Sequence, residues 1–347
     1  MSKILITGGT GYIGSHTCVE LLKNGNDICV IDSLINSSEK TIFKINKILK
    51  SNNYKSNGSL IFKKGDLKNK DFLKNVFKDF TETNQTFDAV IHFAGLKSVT
   101  ESVKTPLKYW RENLNITLNL LEIMNDFNCN NLIFSSSASL YAPNDKGIFN
   151  ESCPRNPINP YGKTKLAIEK ILEDLYLSDR KKWKITNLRY FNPVGAHESG
   201  LIGENPLITP TNLFPIVIKV AKGIIKKLPI YGDDWPTKDG TCIRDYIHIM
   251  DLADAHIAAL DFLKQNKPQI ISFNIGTGKG NSVMEIVKTF RKVNNINIPY
   301  EIKKRRPGDP AITIADNTKA LKFLNWSPKR NINDMCSDAW RYSNNFA

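Results

Sequence analysis

The chain has 347 residues, 41% of them apolar, with 48 lysines and arginines against 34 acidic residues and a formal net charge of +14. That length suits one large domain with a second lobe. No stretch approaches the roughly 18 consecutive apolar residues of a membrane span, and after "MSK" the apolar run "ILI" is broken at once by "TGG", unlike a signal peptide. The lysines alternate with asparagines and acids, without an aromatic-interleaved basic block, which argues against nucleic acid as a partner. The six cysteines (Cys18, Cys29, Cys129, Cys153, Cys242 and Cys336) are scattered, with no C-x-x-C and no histidine at ligand spacing. Neither a disulfide nor a structural metal is expected, and the product is expected to be soluble and cytoplasmic.

In chain order, "KILI" (3–6) reads as a short buried strand, followed by a glycine-rich turn and a helical pattern from Tyr12 to Lys23. Further apolar strands are "DICVID" (27–32), "SLIFKKGD" (59–66), "FDAVIHFAG" (87–95), "NNLIFSSSA" (130–138) and "KITNLRYFN" (184–192). Helical patterns run from about Pro106 to Asn128 and from near Pro160 to Ser178, while the polar segment 50–58, "KSNNYKSNG", reads as an exposed loop. Apolar β-branched runs alternating with helical patterns predict an α/β fold, a parallel sheet covered by helices on both faces. After Asn192, proline, glycine and short mixed segments dominate, with helical stretches around 212–226 and 251–265. The expected division is a Rossmann-type, doubly wound domain over 1–190 and a smaller C-terminal α/β lobe, mainly for substrate, over 191–347. "FNIG" (273–276) is placed to return to the main sheet as a strand.

"ILITGGTGYIG" is strand, glycine turn and helix. Gly8, Gly11 and Gly14 fit G-x-x-G-x-x-G, and Gly9, Gly11 and Gly14 fit G-x-G-x-x-G. Such glycines let the backbone approach a pyrophosphate at a helix N-terminus, where N–H donors and a partial positive charge favour an anion. Asp32, ending the second strand, can accept hydrogen bonds from ribose hydroxyls and would repel a 2′-phosphate, which favours NAD over NADP. Asp66, after the third strand, can accept from an adenine amino group.

"NPYGKTK" (159–165) supplies the reacting groups. Asn159 suits an N-cap and Pro160 the first helical position, so Tyr161 falls in the first turn and Lys165 lies on the same face one turn on. The helix dipole, the ammonium and a cationic nicotinamide ring are each expected to lower the phenol's pKa from its usual ~10 toward that of a general base. Ser137, in "SSSAS" at the carboxyl end of the fifth strand, can hydrogen-bond both the phenol and a substrate hydroxyl.

On these motifs the chain resembles the extended short-chain dehydrogenase/reductases, and within them the UDP-glucose 4-epimerases. The likeness rests on "TGGTGYIGSHT", "HFAGLKSV", "SSSASLY", "NPYGKTK", "RYFNPVGAH", "GTCIRDYIHIMDLADAH", "FNIGTG" and "RRPGDPA". It implies Ser137, Tyr161 and Lys165 as the catalytic set. It implies NAD contacts at Gly8, Gly11, Tyr12, Ile13, Gly14, Asp32, Asn36, Ser37, Asp66, Leu67, Phe93, Ala94, Gly95, Lys97, Asn113, Tyr161, Lys165 and Phe191. UDP-sugar contacts are implied at Lys97, Ser137, Asn192, Asn212, Leu213, Tyr231, Arg244, Arg306, Asp309 and Thr313. Arginines suit a diphosphate, and Tyr231 can stack on uracil. The resemblance further implies a homodimer.

The implied reaction removes the sugar 4-hydroxyl proton through Tyr161, passes the C4 hydride to NAD and returns it to the opposite face of a 4-keto sugar that has turned in the lobe. A nucleotide-sugar 4,6-dehydratase is one alternative, but it generally carries an Asp-Glu pair directly after the strand-five hydroxyl residue, where Ala138 and Ser139 stand. A non-catalytic NAD-sensing protein would have no need of Tyr161 and Lys165. Thr313 occupies a position at which the family relates a tyrosine to plain hexoses and a small residue to 2-acetamido sugars, so acceptance of UDP-N-acetylhexosamines is implied as well.

Overall fold

Seven parallel strands form the main sheet of the structure, a computed structural model that describes residues 2–51, 58–81, 86–206, 212–306 and 308–345. From one edge to the other they are Leu60–Lys64, Asp27–Asp32, Lys3–Thr7, Ala89–His92, Asn131–Ser137, Lys184–Tyr190 and Gln269–Ile275. The spatial order reverses between the first and fourth strands in sequence. Open α/β sheets bind ligands at such a reversal, beyond the carboxyl ends of the strands. Every strand expected in the first 190 residues is present. The "FNIG" segment returns as Gln269–Ile275, paired with Lys184–Tyr190 from Gln269↔Lys184 to Ile275↔Tyr190.

The inner strands Lys3–Thr7, Asp27–Asp32 and Ala89–His92 are largely apolar on both sides because both faces are covered. Ile4 and Ile6 pack with Leu21 and Leu22 of the Tyr12–Lys23 helix and with Leu252 and Leu263 of the Ile249–Gln265 helix. Leu5, between them, points the opposite way and joins Leu120 and Met124 of Pro106–Asp126 and Ile168 and Leu172 of Pro160–Ser178. All six cysteines are free thiols, five of them buried, and Cys18 and Cys29 are packed within these cores.

The expected helices keep their positions with adjusted ends. The 212–226 stretch forms Leu213–Ala221, because Gly223 at φ +71° turns the chain and Ile224 N–H donates back to the carbonyl of Lys219. Lys40–Ser51, Lys70–Thr81, Val283–Asn294 and Ile332–Asn344 are helices that the reading above does not anticipate. In Lys40–Ser51 only Ile45 and Ile48 are buried, so "KINKILK" is part of an amphipathic helix whose Lys47 and Lys50 lie on the solvated face. Of the expected 50–58 loop, residues 52–57 lie outside the described residues.

Outside the main sheet a four-stranded sheet joins Asn281–Ser282, Ile243–Arg244 and Ile312–Ala315, of the C-terminal half, with Ile148–Phe149 from the earlier part of the chain. Two parallel pairs accompany it, Asn192–Val194 with Tyr246–His248 and Leu228–Tyr231 with Tyr300–Lys303. Phe214, Val217, Ile286, Phe290, Met335 and Ala339 form a separate core between three helices of this half. Among the described residues no helix is long and apolar enough to cross a membrane.

Candidate active site

The glycine turn is built for backbone approach. Gly8 sits at φ +73°, and a Cβ there would lie 2.7 Å from the Ala94 nitrogen. A Cβ at Gly14 would meet the Gly8 carbonyl oxygen at 2.4 Å, so the helix can rest on the turn only without a side chain there. Gly11 differs: its Cβ would meet only the Gly8 oxygen, at 3.2 Å, leaving the N-terminus of Tyr12–Lys23 bare. No side chain caps that helix, and no acid occupies its first turn. An uncapped helix end above a bare glycine is the cradle that a pyrophosphate fits. Tyr12 turns away from it, donating its hydroxyl to the carbonyl of Gly195 at 2.7 Å; burial holds that phenol well above its usual pKa.

Asp32 is buried and accepts from Thr10 N–H (3.1 Å), Leu34 N–H (2.9 Å) and the Ser37 hydroxyl (2.9 Å). Thr10 donates in turn to Ser37 Oγ at 2.8 Å. The carboxylate is thereby aimed rather than consumed, since two oxygens offer about four acceptor positions. Asn36 is exposed beside it, and Asp66, partly exposed, accepts from Lys68 N–H at 2.9 Å. Leu67 is buried, with its carbonyl accepting from Asn119.

After the fourth strand, Phe93 and Ala94 N–H both donate to the carbonyl of Thr7, and Gly95 follows at φ +151°. Asn113 secures this loop. It is buried, accepts from Leu96 N–H at 2.7 Å and donates to Leu96 O and to Thr164 Oγ1, both at 3.1 Å. One amide therefore couples the 94–97 loop to the helix that bears Tyr161. The Lys97 ammonium lies 3.5 Å from Glu204 and 5.9 Å from the Tyr12 ring centre.

Ser137 ends the fifth strand, and its hydroxyl accepts from Ser139 N–H at 3.1 Å. Asn159 caps Pro160–Ser178, accepting from Gly162 N–H at 2.8 Å, with Pro160 in the first position as expected. The Ser137 hydroxyl is near enough to Tyr161 to draw the phenol's pKa down. Lys165 is buried, 5.9 Å from the Tyr161 ring centre, and donates to the Ser135 carbonyl at 2.6 Å. The phenol differs from expectation in one respect. Loss of hydration pushes its pKa up, and the Ser137 hydroxyl brings it only partly back. Burial also lowers Lys165 to about 8, against a smaller opposing pull from Glu169. Within the protein alone, desolvation sets the direction for Tyr161; the third expected contribution, a cationic nicotinamide, comes only with the cofactor.

Of the residues expected at the sugar and nucleotide end, Asn192, Tyr231, Arg244 and Thr313 fall on strands of the small sheets. Arg244 and Thr313 are register partners, and Arg244 donates to the carbonyls of Ile243 (2.9 Å) and Ala311 (3.4 Å). The Arg306 guanidinium lies 4.3 Å from the Tyr231 ring centre, and Asp309 N–H donates back to Arg306 O at 3.2 Å. Phe191 N–H donates to Ile275 O and Asn192 N–H to Asp245 O, stitching the end of the main sheet to this half. Asn212 and Leu213 begin the Leu213–Ala221 helix, where Asn212 is exposed and makes no capping bond with its side chain.

Several contributors escape sequence reasoning. Thr10 and Thr164 act through tertiary hydrogen bonds, and Glu204 through an ion pair with Lys97. Glu169 stands one turn beyond Lys165 and accepts from Ser136 Oγ at 2.6 Å and from Arg189 Nε (2.9 Å) and Nη2 (2.6 Å). Its spacing from Lys165 is the one signal that could have singled it out.

Known proteins match this arrangement along the whole chain. The UDP-glucose 4-epimerase of Bacillus subtilis is 46% identical over 98% of this chain and 96% of its own. The chain belongs to the UDP-glucose 4-epimerase family. Residues 5–339 also match the broader family described as GDP-mannose 4,6 dehydratase. Among solved structures, the UDP-glucose-4-epimerase from Stenotrophomonas maltophila, with bound NAD and formylated UDP-arabinopyranose, has a TM-score of 0.93 at 40% identity, covering 100% of this chain and 99% of that one. The UDP-Glc/GlcNAc 4-epimerase from Campylobacter jejuni has a TM-score of 0.84 at 38% identity, covering 99% of this chain and 100% of that one.

Proposed function

We propose that the chain is an NAD-dependent epimerase acting at C4 of UDP-hexoses, interconverting UDP-glucose and UDP-galactose through a transient 4-keto sugar. The observation that carries this reading is the set of Ser137, Tyr161 and Lys165 at the carboxyl edge of a sheet whose neighbouring turn is a bare glycine cradle. Family membership supports the same activity. Bound NAD supplies hydride acceptance and return at C4. Residues 1–190 hold the cofactor, with the pyrophosphate at Gly11 and the ribose at Asp32, and residues 191–347 mainly hold the UDP-sugar.

Tyr161 takes the 4-hydroxyl proton and later returns it, while Ser137 aligns the donor and acceptor oxygens. Lys165 favours the phenolate by its charge and is itself held by Ser135 O. Tyr231, Arg244, Arg306 and Asp309 hold the nucleotide, so the sugar can turn while the UDP stays in place. Dehydration finds no acid pair after Ser137, where Ala138 and Ser139 follow.

Thr313 leaves room at the sugar for a 2-acetamido group, so UDP-N-acetylglucosamine and UDP-N-acetylgalactosamine are further substrates. The enzyme is read as a cytoplasmic homodimer; exposed Val103 and Leu107, close together in sequence near the start of the long helix, are apolar surface available to a second copy. The deciding experiment incubates purified protein with UDP-galactose and follows UDP-glucose without added cofactor, then denatures the protein and tests the supernatant for NAD. Conversion with stoichiometric released NAD is expected. Net accumulation of NADH in steady turnover, or no conversion, would overturn the reading.

A further inference from the structure

Two successive arginines lie on two aromatic rings. Arg306 covers Tyr231 at 4.3 Å, and Arg305 covers Trp235 at 4.1 Å. Only the first pair consists of residues expected to touch substrate. The second is nevertheless closely built. Arg305 Nε donates to Asp234 Oδ1 at 2.7 Å, and its Nη2 donates to the Asp234 carbonyl. The Trp235 indole N–H donates to the carbonyl of Tyr231 itself, at 3.1 Å. Trp235 N–H is tied to Gly240 O at 2.9 Å, and Gly232 N–H to Lys303 O at 2.8 Å. Gly232, between the two rings, stands at φ +87°, where a Cβ would lie 2.5 Å from Trp235 Nε1 and 2.9 Å from Arg305 Cγ. The backbone there is bare because tryptophan and arginine close over it.

Stability does not account for this construction. The side chains of Arg305 and Asp234 are 41% and 68% exposed, and exposed ion pairs add little to folding. What the contacts do is mechanical. They fix the carbonyl of Tyr231 on one strand end and the backbone before Arg306 on the other.

We propose that Trp235 and Arg305 are positioning residues for the uridine diphosphate end of the substrate, holding the Tyr231 ring and the Arg306 guanidinium in their stacked arrangement before substrate arrives. The inference rests on the reading above that Tyr231 and Arg306 contact that group. Ordering one such side chain at the moment of binding weakens affinity by roughly 2- to 12-fold. Loss of the brace is therefore felt in binding and not in the chemical step, which takes place at Tyr161.

The test compares initial rates, UDP affinity by calorimetry, bound NAD and thermal midpoint in Trp235→Ala, Arg305→Gln, Trp235→Phe, Tyr231→Ala and Arg306→Ala. Trp235→Ala and Arg305→Gln are expected to raise KM for UDP-galactose and Kd for UDP about tenfold, with kcat within about twofold and NAD content and midpoint unchanged. Trp235→Phe keeps the ring under Arg305 and is expected to recover most of the affinity. An unchanged KM in Trp235→Ala, while Tyr231→Ala raises it, overturns the inference. So does a joint loss of kcat, NAD and thermal midpoint, the mark of a merely structural role. If Tyr231→Ala and Arg306→Ala themselves leave KM and Kd unchanged, the nucleotide subsite is elsewhere, and the inference falls with that assignment.

Discussion

Lys165 donates to the Ser135 carbonyl at 2.6 Å while its ammonium lies 5.9 Å from the centre of the Tyr161 ring. One donor is committed to the strand that ends in Ser137, and the charge remains beside the phenol. Lys165→Met should remove that charge without emptying the space. Because desolvation already raises the Tyr161 pKa, losing the ammonium raises it further, so the acid limb of kcat moves to higher pH. A kcat profile from pH 6 to 10 on both proteins measures this. An unmoved acid limb would mean that Lys165 does not tune the phenol.

Tyr161→Phe keeps the ring and removes the hydroxyl proposed to move the proton. Turnover should fall by about 10² to 10⁴-fold, the usual contribution of a positioned general base. UDP affinity and copurifying NAD should persist. Near-normal turnover in the purified variant would take Tyr161 out of the mechanism.

Glu169 and Arg189 form a buried pair, with 0% and 3% of their side chains exposed. Glu169→Ala strands a guanidinium that also donates to Tyr141 and to the Glu151 carbonyl. Breaking a buried pair from one side costs about 3–5 kcal/mol. Urea unfolding of the variant should show a loss of that order, with a smaller loss in a double variant that replaces both residues by methionine. Equal losses in the single and double variants would contradict the pairing argument.

Burial lowers the pKa of four histidines, to about 3 for His16 and His92 and about 4 for His197 and His256. Their unfolded value is near 6.5. Between these values the unfolded chain binds more protons than the folded one, so stability rises with pH across the window. It is complete above about pH 6.5 and is lost as pH falls toward 4. Each histidine contributes about 1.4 kcal/mol per pH unit once fully within that window, so even two titrating together remove a large share of a typical 5–15 kcal/mol. Denaturant midpoints at pH 7.5, 6 and 5 should fall in that order; a flat series would show that the imidazoles do not stay neutral inside.

Thr313→Tyr should narrow the sugar pocket. The expected outcome is a large drop in kcat/KM for UDP-N-acetylgalactosamine with that for UDP-galactose little changed. No acetamido-sugar activity in the native protein, or equal loss of both activities in the variant, would remove Thr313 from the specificity wall.

Local chemistry was enough to read the main sheet and the helical placement of Tyr161 and Lys165. Strands buried on both faces are continuous apolar runs, as in "DICVID", and need no partner to be recognised. A cap, a proline and residues one turn apart place Tyr161 and Lys165 on one helical face whatever surrounds them. Little in the sequence announces the lysine-rich helix Lys40–Ser51, because only Ile45 and Ile48 carry its buried stripe.

Other properties exist only once distant segments meet. The direction of the Tyr161 pKa depends on how much water the packed cleft excludes, and desolvation is a property of the enclosure, not of the helix. That Gln269–Ile275 lies beside Lys184–Tyr190 rather than in the small sheet is decided by pairing across the intervening chain. The stack of Arg306 on Tyr231, and of Arg305 on Trp235, depends on the parallel register of Leu228–Tyr231 with Tyr300–Lys303. Cation–π attraction acts only over a few ångströms, so no spacing along the chain announces it before the two strand ends come together.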